Sequence, residues 1–265
     1  MPEPRLDDFW RARGEALEDL SRLHGSQHWE PDGVRLSRDA FVALAQVGRR
    51  RVGAARVKDE AAATELESVG LVDGAGRLTD DGMTTHAVLS TADRRIRVES
   101  AASGVPGTYE AARRQGAVVV WATDSPASWD GRTTLGRDRL ASATSGTLLW
   151  LPTMQLPTDL AAWLQVGPSW PMDLPPDAIA TDLVTARMDD PRAPAPDGAA
   201  EFLREVWAQP WFTWTITTDT EHRLAGIHAG RHGHLRLQDH GSSLVTLGAL
   251  PSEAFFSILV GMSML

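Results

Sequence analysis

A chain of 265 residues with 42% hydrophobic and 23% charged side chains carries enough apolar material for a packed core, which excludes a disordered or fibrous chain. Its 26 basic groups against 35 acidic ones leave a formal charge of −9, and that balance opposes general attraction to nucleic acid or anionic lipid. Cysteine is absent, so disulfides, thiolate metal sites and thiol catalysis are excluded together.

Residues 4–23 place Leu6, Phe9, Trp10, Leu17 and Leu20 at helical spacing, which predicts an amphipathic helix. Residues 1–20 hold no apolar run of the kind that directs secretion, so a cytoplasmic protein is expected. The segment 1–33 reads as a helical extension ahead of a single domain, 34–265. From Ser37, an N-cap, a helix bearing Phe41, Leu44, Ala45 and Val47 runs towards Gly48, and a second covers residues 58–69. Residues 70–82 then read as two short apolar pairs around an Asp-Gly turn, with Thr79 capping a helix that holds Met83, Ala87 and Val88. That passage is wing-like.

After Asp93 the period changes to that of strands. Residues 95–100 alternate through Ile96 and Val98, residues 117–122 form a continuous apolar run, and residues 132–135 precede a helix over 137–144. A further apolar run covers 147–151, and the four prolines within 166–177 mark a surface excursion. Pro175 and Pro176 open a helix carrying Ile179, Leu183 and Val184, and the proline-rich stretch 189–198 reads as a linker. Beyond it come a helix with Phe202, Leu203, Val206 and Trp207, strands over 212–218, 223–228, 234–238 and 244–247, and a last helix capped by Ser252. A series of short strands followed by a helix thus occurs twice, over 95–144 and 212–265. The expected class is α+β: an antiparallel sheet with flanking helices, built of two pseudo-repeated halves, about 34–150 and 151–265, with a winged-helix-like segment near the N-terminus.

The order of these parts, with the passages 65–81, 117–123 and 219–237, resembles the EspG-like family of chaperones in type VII (ESX) secretion. The resemblance spans roughly residues 34–265. It implies a quasi-two-fold α+β fold around a central antiparallel sheet, and a cytosolic chaperone that masks the helical tip of a secreted client. It brings no catalytic residues and no cofactor. The insert around Trp170 and the N-terminal helix with Trp10 depart from the family pattern.

No Gly-x-Ser-x-Gly elbow, third dinucleotide-loop glycine or phosphate-binding Gly-Lys-Ser/Thr occurs, so a binding protein rather than an enzyme is expected. His222, His228, His232, His234 and His240 invite a metal reading, with 232/234 and 222/228 sharing strand faces, against the plainer reading of a polar hairpin. No metal ligand is assigned. A winged-helix DNA reading of residues 34–90 draws on Arg49, Arg50, Arg51, Arg56 and Lys58, but Asp59, Glu60, Glu65 and Glu67 stand on the helix that would meet phosphate. Among the ten tryptophans, Trp207 and Trp214 read as core. Trp129 and Trp170, in turn-rich and proline-flanked settings, together with Arg231 and His232 of the turn 230–233, are the expected contacts for a helical client protein.

Overall fold

The computed structural model describes residues 29–47, 56–102, 104–126, 144–167, 178–220, 222–241 and 243–264. In chain order the elements are β1 (Val34–Ser37), α1 (Arg38–Ala45), α2 (Glu60–Ser68), α3 (Asp80–Ser90), β2 (Arg94–Ala102), β3 (Val105–Arg114), β4 (Ala117–Ala122) and β5 (Ser145–Pro152). They continue with α4 (Leu156–Trp163), β6 (Ala178–Ala180), α5 (Thr181–Asp189), α6 (Glu201–Ala208), β7 (Trp211–Thr218), β8 (Arg223–Ala229), β9 (His234–Asp239), β10 (Leu244–Ala249) and α7 (Ser252–Met264).

The strands form one ten-stranded sheet in the order β1-β5-β4-β3-β2-β7-β8-β9-β10-β6, with every neighbouring pair antiparallel. The fold is α+β. Counted outward from the central β2–β7 pair, each half runs through four consecutive strands and then closes on a strand that precedes them in the chain, β1 in one half and β6 in the other. Hairpin connections explain the consecutive strands; the early strand fills the edge position that no hairpin reaches.

Alternation along each strand separates two faces. On one, Val98, Tyr109, Val120, Phe212, Trp214 and Ile216 pack beneath α4 and α7 through Leu156, Leu160, Phe255 and Leu259. Trp214 stacks on Phe255 at 4.7 Å between ring centroids, and a Cβ at Gly226, its cross-strand partner, would run into the Trp214 indole. The opposite face is covered in two separate places. Towards β1, Val119, Trp121 and Leu148 meet Phe41, Leu44, Leu66 and Val88 of α1, α2 and α3. Towards β6, Ile227, Leu235 and Leu247 meet Val184, Leu203 and Val206 of α5 and α6.

Several expectations change here. The β2–β3 hairpin contains a ten-residue strand that Gly104, Pro106 and Gly107 disguise as turn; Pro106 is tolerated because it stands at an exposed position near the start of the strand. Strand β1 and helix α4 were not expected, and Ile179 belongs to β6 rather than to a helix opened by Pro175 and Pro176, which lie outside the described residues. The stretch 189–198 is docked and not free: Trp207 Nε1 donates to the Ala193 carbonyl at 3.0 Å. Trp207 and Trp214 are buried. Residues 4–23 and 132–143, the excursion's prolines beyond 167 and Gly48 lie outside the described residues.

Candidate interaction surface

Among the described residues, no helix covers the second face of the central strands between the two helical groups. The register puts Arg97 opposite Glu110 on one side and Thr217 on the other, and Glu99 opposite Thr108 and Thr215. Thr217 in turn faces Arg223, and Thr215 faces Ala225. Arg95, Arg97, Glu99 and Arg223 are exposed, while the threonines are half-buried in the floor. The open floor is centred on β2 and β7, with β3 and β8 partly under the walls through Ala112 and Ile227. Two helical walls and a polar floor make a trough.

Charges at one wall are tied into a network. Glu110 Oε1 accepts from Arg38 Nη2 at 2.7 Å and from Arg97 Nη1 at 3.0 Å, and Arg97 Nη2 donates to Glu99 at 2.7 Å. The Arg38 guanidinium also lies 4.9 Å from the Trp121 ring centroid. Exposed pairs of this kind contribute roughly 0–1 kcal/mol each, so their effect is chiefly to orient the side chains.

The expected contact residues divide. Trp129 and Trp170 lie outside the described residues. Arg231 and His232 occupy a 3-10 turn between β8 and β9. Arg231 is exposed, with Nη2 3.4 Å from Glu205 Oε2, whereas the His232 side chain is only 8% exposed and meets Phe202 edge-on at 5.2 Å. Burial, with the Arg231 charge beside it, holds the His232 imidazole below its ordinary pKa against an opposing pull from Glu205. Only Arg231 therefore presents its charged end to solvent.

His232 and His234 do not share a face, because the 3-10 turn breaks the strand alternation between them. His228 faces His234 across β8 and β9, ring centroids 4.8 Å apart, on the buried face beside Phe212. Among the described residues no group of three or more His, Asp or Glu could hold a metal ion. Trp150, with Met83 and Met154 among the exposed large apolar side chains, was not expected at the surface; its Nε1 donates to Thr85 Oγ1 at 2.9 Å.

In the segment expected to be wing-like, Val72 bridges Leu78 and Arg56 bridges Arg77 around the Asp73 turn. Helix α2 carries Glu60, Glu65 and Glu67 behind its cap Asp59, and both Glu65 oxygens accept from Ser37, from its N–H at 2.6 Å and its hydroxyl at 2.5 Å. Arg49, Arg50 and Arg51 lie outside the described residues.

No protein-family model and no curated protein matches the chain. Among solved structures, the chain is similar to the type VII secretion system chaperone EspG5 of Mycobacterium tuberculosis, solved in complex with the PE25-PPE41 dimer. The match covers 85% of this chain and 94% of that one, with 11% identity and a TM-score of 0.46. No helix among the described residues is long and apolar enough to cross a membrane.

Proposed function

We propose that this protein is a chaperone-like adaptor that holds a helical client protein, serving type VII secretion from the cytoplasm, and that it performs no catalysis. The observation that carries the binding reading is the trough: central strands of a ten-stranded sheet, covered on one face and, among the described residues, left open on the other between two helical walls. An antiparallel sheet commonly packs one face and leaves the other to water; here two helical groups bound the wet face, which makes it a seat open to a partner. The secretion link rests on the sequence resemblance. The DNA reading loses support from the carboxylates along α2, which phosphates would repel.

The test is affinity capture from the native cytosol at physiological salt with the untruncated chain. One helical protein recovered in stoichiometric yield, and lost when Thr215→Arg obstructs the trough, supports the adaptor. Salt-sensitive retention on DNA with no protein client would replace it by the winged-helix reading.

A further inference from the structure

Beneath the α1 wall, a recess of about 300 Å³ opens between α1, the end of α3 and strands β2 and β3. Its apolar side is formed by Phe41, Val42, Ala45 and Leu89, and its polar side by Arg38, Arg95, Arg97 and Glu110. Three guanidinium groups thus face one carboxylate in a chain that is acidic overall. We infer that this recess is a binding site for a small carboxylate with a compact apolar body.

Three observations carry the assignment. Arg38 and Arg97 share the single Glu110 oxygen Oε1, and Arg97 pairs with Glu99 as well, so Arg38 has only a shared carboxylate oxygen. Arg95 is held by the Leu89 carbonyl and has no ion pair among the described residues, which leaves its charge uncompensated at the recess. Arg38 Nη1 is buried and has no hydrogen-bond partner among the described residues. A buried cationic donor left unpaired is costly, and an anion is the acceptor that removes that cost. Guanidinium forks match carboxylate geometry, and the recess volume falls at the small end of small-molecule sites, which limits the body to about one ring or a short chain. The recess takes Arg95, Arg97 and Glu110 from the edge of the trough, but the inference needs no helical client and is tested on the chain alone.

Phenylacetate is the probe and phenylacetamide its neutral isostere, both titrated calorimetrically into the full chain at low salt. The expected result is one saturable site per chain for the acid, with the amide at least about tenfold weaker because only the acid makes charge-assisted bonds. Ala45→Leu fills the recess from its apolar side and is expected to abolish binding; Arg97→Gln is expected to weaken it about tenfold. Thermal melts without ligand check that each variant is folded, and if one is not, the acid-against-amide comparison on the unaltered chain decides alone. Absence of saturable phenylacetate binding, equal binding of acid and amide, or undiminished binding to folded Ala45→Leu would each overturn the assignment.

Discussion

At Asp159 two aromatic donors meet a carboxylate that the core has drawn out of water. Tyr109 Oη donates to Oδ2 at 2.8 Å and Trp29 Nε1 to Oδ1 at 3.1 Å. Burial raises the carboxyl above its ordinary pKa, and the two donors only partly offset it; burial likewise pushes the Tyr109 hydroxyl well up. A carboxyl whose folded pKa is raised contributes stability that is complete below the unfolded value, about 3.9, and is lost as pH rises through the folded value. The Tyr109 bond favours the ionised form, so Tyr109→Phe is expected to cost about 1.5–3 kcal/mol at pH 7 and less near pH 4. Urea unfolding of both proteins at the two pH values reads the difference; an equal cost at both would mean that Asp159 does not titrate. Gly226 is constrained by volume instead. Gly226→Val is expected to cost about 1–3 kcal/mol by overpacking the Trp214 ring, whereas Gly248→Ala, whose new Cβ would lie 3.9 Å from its nearest neighbour, should stay within about 0.5 kcal/mol. Thermal denaturation compares them. Neither Asp159 nor Gly226 stands out in the sequence, because each matters through residues more than ten positions away.

Caps and clasps hold the elements together. Ser37 ends β1 and caps α1 by accepting from Ala40 N–H at 3.1 Å, while its own N–H and hydroxyl bind Glu65 of α2. Ser37→Ala is expected to cost about 1–2 kcal/mol, and a double-mutant cycle with Glu65→Ala should show coupling above about 0.5 kcal/mol. Additive costs in denaturant unfolding would mean that the clasp contributes nothing of its own. The cap itself was legible, since a serine before an apolar helical period is a local signal, and so were Asp59 and Thr79 in front of α2 and α3. Local signals also misled. Pro157 sits in the first turn of α4, where its missing N–H costs nothing, yet it obscures a helix that buries Leu156, Leu160 and Trp163. In β3, Gly107 and Pro106 read as turn residues although the hairpin partner β2 keeps the segment extended.

For the whole molecule, the arrangement of faces matters most. Arg95-Ile96-Arg97-Val98-Glu99 states plainly that β2 has one polar and one apolar side. That pattern suits an edge strand with a solvated face as well as a central one, and only the β2–β7 pairing puts the polar side at the middle of the sheet. If the trough seats a client, Thr213→Arg combined with Thr215→Arg should abolish capture while changing unfolding free energy by no more than about 1 kcal/mol. Loss of the native fold by circular dichroism would move these threonines from the binding surface into the stability of the sheet.

What this amino-acid sequence determined alone was local: helix starts at Ser37, Asp59 and Thr79, the strand alternation around Ile96 and in 212–218, the α+β class, and the lack of any linear catalytic motif. These follow from side-chain period and capping chemistry, which act over a few residues. The tertiary structure decided what depends on distant partners: the joining of β2 to β7, the docking of 189–198 on Trp207, the meeting of His228 with His234, and the gathering of Arg38, Arg95, Arg97 and Glu110 along one recess. Pairing between strands more than one hundred residues apart is selected by burial of both faces at once, and no local window of the chain contains that information.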